Sequence, residues 1–167
     1  MFGGCASLTT APELPALNLT NECYRYMFSG CTSLTTAPEL SATTLADSCY
    51  RTMFSNCTSL TSAPELPALN LASNCYNSMF NDCTSLTTTP ELPATTLANG
   101  CYSRMFNGCR SLNSITCLAT NISANGCTTA WVTNVAASGT FTKAASMTGW
   151  TEGTGGIPSN WTVVDKQ

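Results

Sequence analysis

Histidine is absent from this chain of 167 residues, and Asp, Glu, Lys and Arg together make up only 9% of it. Without histidine there is no Ser-His or Cys-His pair for nucleophilic catalysis and no imidazole to ligate a metal. The net charge is −3 and no Lys/Arg cluster exists, which argues against a nucleic-acid or anionic-membrane partner. No run approaches the roughly 18 apolar residues that cross a bilayer, so this segment is not expected to insert into a membrane. Nor does the amino terminus carry a basic region followed by an apolar stretch, as an export signal would. A glycine-rich phosphate loop in strand-to-helix context is likewise missing. With so few charges, solubility must rest on Thr, Ser and Asn, while a hydrophobic content of 43% suffices for the core of one domain.

What the chain does have is repetition. Met-Phe pairs begin at Met1, Met27, Met53, Met79 and Met105, a period of 26 residues, and a period of this size points to a solenoid. Leu8, Leu34, Leu60, Leu86 and Leu112 keep the same step. So do two cysteine series, one from Cys5 to Cys109 and one from Cys23 to Cys127. With one repeat per coil, equivalent residues stack along the axis at about 4.8 Å, and each inward position becomes a ladder. Within a coil, "SLTT" predicts a short strand, and the prolines of "APELPA" predict its end. "LASNCYNSMF" and its equivalents predict a short helix, with Asp47, Ser48, Ser73 and Asn74 at its start. Gly30, Asn56, Asp82 and Gly108 suit a left-handed exit from it.

These segments resemble the BspA-like leucine-rich repeats of bacterial surface proteins, which also occur in phage and protist proteins. "MFSNCTSLTSA" is similar to that family's Ala-Phe-x-x-Cys-x-x-Leu-x-x-Ile signature, with Met in place of Ala and with Ala37, Ala63 and Thr89 where a branched aliphatic is usual. The period of 26 also exceeds the family's more usual 23, which lengthens the turn after the strand. The expected fold is therefore α/β: a leucine-rich repeat solenoid of about five coils over residues 1–127, each a short parallel strand plus a short helix. Residues 128–167 leave the period and predict a β-rich cap, with strands around Phe141 and Val163. Trp131, Trp150, Trp161, Phe141 and Ile157 are its candidate plug, covering the open solenoid end. Met1 occupies a repeat column, so the chain reads as the C-terminal part of a longer protein.

Eleven cysteines invite a disulfide reading. A helix between Cys23 and Cys31 would separate them by about 12 Å, whereas a disulfide needs Cα atoms roughly 4.4–6.8 Å apart. Each series also has an odd number of members. A ladder of buried thiols is the reading that remains, and the ligand pairs two to four residues apart that structural zinc requires are missing. Cys117 lies outside both series and reads into the column of Glu13, Glu39, Glu65 and Glu91; it is the one candidate for a reactive thiol, although a packed position in the cap is the commoner fate of such a cysteine.

Those glutamates form the only charged ladder. Like charges about 5 Å apart repel by roughly 0.8 kcal/mol in water and by several times more in a dry interior, so the ladder is expected at the surface. Glycoside hydrolysis needs two carboxyl groups in different environments, and repetition supplies identical ones. No enzyme, cofactor or metal site is expected. The resemblance implies a non-catalytic binding or adhesion module of a bacterial cell-surface protein, extracellular, with a protein or glycan partner. The alternative is a structural or receptor-binding part of a phage tail, located in the virion, and a repeat-scaffolded hydrolase is a distant third. Candidate binding residues are Thr35, Thr36, Glu39, Thr61, Glu65, Thr87 and Glu91 on the strand side. The helix side competes through its variable pairs, Arg25-Tyr26 and Arg51-Thr52 among them. A finer alternation, Leu17-Asn18 and Leu69-Asn70 against Thr43-Thr44 and Thr95-Thr96, reads either as a duplicated two-repeat unit or as relief of crowding between coils.

Overall fold

A computed structural model describes residues 1–167 as a solenoid of parallel strands and turns. Its sheet holds four strands in chain order, β1 (Thr88–Leu92), β2 (Ser114–Cys117), β3 (Thr140–Ala144) and β4 (Thr162–Lys166). Every neighbouring pair is parallel, so the chain must circle back to the same edge between strands. The four strands thus mark about three regular turns, not the five expected. Earlier copies follow the same columns through single bridges, Thr10 to Thr36 and Ser62 to Thr88.

The expected helices are absent, and with them the α/β class. Each such segment is a train of turns in which backbone donors alternate in direction. The Met27 and Cys31 N–H groups bond back three residues, to Tyr24 O at 3.2 Å and Phe28 O at 3.0 Å. Those of Tyr24 and Phe28 leave the coil for Cys49 O and Met53 O, both at 2.9 Å. A helix would send every donor back four residues. Left-handed residues recur at every fourth position of each train, as at Ser48 (φ 57°), Thr52 (φ 58°) and Asn56 (φ 60°), and each one interrupts a helix. Gly30, Asn56, Asp82 and Gly108 are left-handed as expected, but what they leave is a turn. Ser, Asn, Cys, Tyr and Thr are middling helix formers. The 26-residue period meanwhile gives each outgoing donor an acceptor in the next coil, so the polar backbone is satisfied between coils and not within a helix.

Proline does not end the strand either. β1 reads TTPEL and runs through Pro90. Thr88 pairs with Ser114 but Glu91 with Thr116, so Thr89 and Pro90 share a bulge where the missing proline donor is tolerated. That bulge shortens the period to 25 residues and places Cys117 beside Leu92, not in the glutamate column.

The interior is a set of ladders. Phe2, Phe28, Phe54, Phe80 and Phe106 stack with centroids 5.6–5.9 Å apart. Tyr24, Tyr50, Tyr76 and Tyr102 form a second stack at 5.8–6.1 Å. Both end on Trp131, which stacks on Tyr102 and Trp150 and meets Phe141 edge-on. Trp131, Phe141, Ile157 and Trp161 are buried and Trp150 is half-buried. The Trp131 indole donates to Gly156 O at 2.8 Å. A Cβ on Gly156 would lie 1.8 Å from Thr151 O, so this close approach requires glycine. β3 and β4, which hold Phe141 and Val163, extend the solenoid's own sheet.

Candidate functional site

The strand side is built by a corner after each inward leucine. Leu34, Leu60 and Leu86 are fully buried, and the two residues that follow each of them are exposed. Thr35 and Thr87 donate their N–H groups to Thr9 O and Thr61 O at 3.3 Å, and their hydroxyls reach the same carbonyls at 3.4 Å. The corner is thereby fixed, with Thr36 and Thr61 exposed beside it. Thr35, Thr36, Thr61 and Thr87 therefore lie in adjoining hydroxyl rows along the axis.

Glu13, Glu39 and Glu65 are exposed beside these rows and form no ion pair. Glu91 differs, being half-buried and paired with Lys166 of β4. No backbone hydrogen bond joins residues 37–43 to 11–17 or to 63–69. Prolines at 12, 15, 38, 64 and 67 remove donors from these stretches, and the coils part there. Two open clefts result. One of about 460 Å³ lies between Glu13-Leu14-Pro15 and Pro38-Glu39. The other, of about 420 Å³, lies between Pro38-Glu39 and Pro64-Glu65. Glu39 and Ser41 border both. The structure thus brings Glu39 and Glu65 together at the second cleft and leaves the threonine rows exposed a few residues before them, while Glu91 is already occupied by the chain's own lysine.

On the turn side, Arg25 is held by its neighbours. It donates to Glu22 at 2.6 Å, and its guanidinium lies 4.9 Å from the centre of the Tyr26 ring. Tyr26 is 41% exposed, and its phenol is made more acidic chiefly by its hydrogen bond from Arg25. The face is polar and variable from copy to copy, and Arg25 is paired within it, whereas Arg51 and the exposed Arg104 form no ion pair.

All eleven cysteines are free thiols, and nine are buried. The Sγ–H groups of Cys31, Cys57, Cys83 and Cys109 donate to the carbonyls of Phe2, Phe28, Phe54 and Phe80 at 3.0–3.2 Å. Burial pushes Cys57, Cys109 and Cys117 up to about 12, so few of them are thiolate at neutral pH. Of the two fates open to Cys117, reactive or packed, the structure shows the packed one, since it lies in β2 with no exposed surface. Cys5 and Cys23 are the exposed thiols. Sequence position points to them, because each comes first in its series within this sequence. The Lys166–Glu91 tie had no such signal, because Lys166 lies outside the repeat. No group of three or more Cys, Asp or Glu side chains is placed to hold a metal ion. Compared with known proteins, the chain matches no family model, no curated protein and no solved structure.

Proposed function

We propose that the chain is a non-catalytic binding module that lays an extended basic protein segment along its strand side, across the clefts at Glu13, Glu39 and Glu65. One observation carries this reading. The fourth glutamate of the ladder already holds a lysine from an extended strand, and the other three offer the same carboxylate with no cation beside it. The neighbouring backbone, left without partners between coils, supplies hydrogen bonds for a second chain. Repetition multiplies a weak contact along the axis, because each additional coil adds an equivalent site.

Placement in a bacterial cell-surface protein of the BspA-like kind, with each of the five sequence copies as one coil, belongs to the same proposal and rests on the resemblance. A screen of lysine-containing extended peptides beside a glycan panel tests it. Glu39→Lys with Glu65→Lys should weaken peptide binding at least about tenfold, leave the melting temperature unchanged, and abolish most of the salt dependence. Glycan binding that ignores both charge reversals would give the face to a carbohydrate. Loss of binding on changing Arg25, Tyr26 and Arg51 instead would move the site to the turn side.

A further inference from the structure

Leu17 and Leu69 are 58% and 64% exposed, the most exposed large apolar side chains after Met1. They stand in one column, two copies apart, with the exposed Thr43 between them and the exposed Thr95 one copy beyond Leu69. The next column alternates in step, as Asn18, Thr44, Asn70 and Thr96, and direct bridges join Asn18 to Thr44 and Thr44 to Asn70. Crowding does not explain the alternation. Leucine occupies every copy in the flanking columns, Leu14 to Leu92 and Leu19 to Leu97, and stacks there without relief.

We propose that this stripe is a self-association surface on which two copies of the chain pair with their solenoid axes antiparallel. A two-fold axis perpendicular to the solenoid lays each column on its own reverse. Position 17 then faces 95 of the second copy, and 43 faces 69, so every leucine meets a threonine. In the next column every asparagine meets a threonine, a hydrogen-bonding pair. Sliding the copies by one coil would set leucine on leucine and asparagine on asparagine, so the alternation fixes the register as well as the partner. Charge permits the contact, since residues 14–20, 40–46, 66–72 and 92–98 contain no ionisable side chain. The glutamate column runs along the rim, where it faces its own image.

The area sets the strength. Four coils at about 4.8 Å and the roughly three outward residues of each at about 3.3 Å give a strip of roughly 200 Å² per copy. That is about 400 Å² in all, well below the roughly 1,200 Å² of stable interfaces. The dimer is therefore a weak one that forms only at high protein concentration. It should tighten with salt, which screens the facing carboxylates, whereas binding of a basic segment weakens with salt.

Sedimentation equilibrium from about 0.05 to 2 mM should show a monomer–dimer equilibrium. Leu17→Thr with Leu69→Thr should weaken it more than tenfold, and Thr43→Leu with Thr95→Leu, which fills the recesses, should weaken it as well. All four changes together restore the alternation in the opposite phase and should restore the dimer. These positions are exposed, and circular dichroism of each variant confirms that it remains folded. A 17.6 kDa monomer throughout would overturn the proposal. So would tighter association of the Thr43→Leu/Thr95→Leu variant, the mark of unspecific apolar adhesion, or a fourfold variant that stays monomeric.

Discussion

Raising the pH should unfold this protein by forcing its buried thiols to ionise. Burial lifts Cys49 to about 11 and Cys57, Cys101, Cys109 and Cys117 to about 12. In the unfolded chain each returns to about 8.5. The folded values are raised, so the folded state binds more protons than the unfolded one between these limits. The stabilisation is complete below about pH 8.5 and is lost as the pH rises towards 11–12. At pH 9.5 each of the five thiols has lost about 1.4 kcal/mol, roughly 7 kcal/mol together, against a total stability of about 5–15 kcal/mol for a domain. A cooperative loss of structure between about pH 9 and 10.5 follows. Circular dichroism and thiolate absorbance near 240 nm, read on the same samples, test it. The two signals should rise and fall together, with the buried thiols ionising only as the coils open. Structure that persists at pH 10.5, with thiols titrating one by one near 8.5, would refute the burial argument.

Folded protein at pH 7.5 should react quickly with a thiol reagent at Cys5 and Cys23 and slowly at the other nine, as peptide mass mapping would show; rapid labelling of Cys117 would contradict its packing in β2. Leu60→Ala should cost about 2–5 kcal/mol as a fully buried large-to-small change, whereas Arg51→Ala should leave the urea midpoint nearly unchanged. Phe54 stacks between Phe28 and Phe80 at 5.6 and 5.7 Å, whereas half-buried Phe2 has one stacked neighbour. Phe54→Ala should therefore lower stability by about 3–5 kcal/mol, and Phe2→Ala by less than half of that, with equal denaturation midpoints counting against the ladder.

The solenoid was legible because a 26-residue period aligns Phe, Cys and Leu with themselves, and stacking is the only way to bury all copies at once. The helix was misread for a physical reason. Cys, Tyr, Met and Phe at spacings of one, three and four residues fit one face of a helix, but they equally fit a turn train that buries adjacent pairs of residues every four positions, as at Cys75-Tyr76 and Met79-Phe80. Only the left-handed residues separate the two. Glycine and asparagine flagged them at Gly30 and Asn56, but Tyr26, Thr52 and Arg104 are left-handed without any such signal. What holds them there is the intercoil hydrogen bond from the same residue, as from Tyr26 N–H to Arg51 O at 3.1 Å, a long-range partner that no local pattern reveals. The single deletion that moves Cys117 beside Leu92 was hidden in the same way, because the bulge at Thr89-Pro90 absorbs it without a break in the strand.

A repeated chain also carries a comparison within itself, and burial sorts its columns. Columns that keep one residue and are buried, such as Cys31, Cys57, Cys83 and Cys109, are explained by stacking alone. Columns that vary at the surface, such as Arg25, Arg51, Asn77 and Ser103, are explained by solvent. The glutamate column belongs to neither class. It stays constant through Glu13, Glu39 and Glu65 while fully open to water, so packing does not require it. Adjacent members repel by roughly 0.8 kcal/mol at one-coil spacing in water. Solubility would be served as well by any mixture of polar residues in that column. On the proposed reading, a row of like charges held without structural need serves a basic segment, and the lysine that meets Glu91 shows the kind of contact.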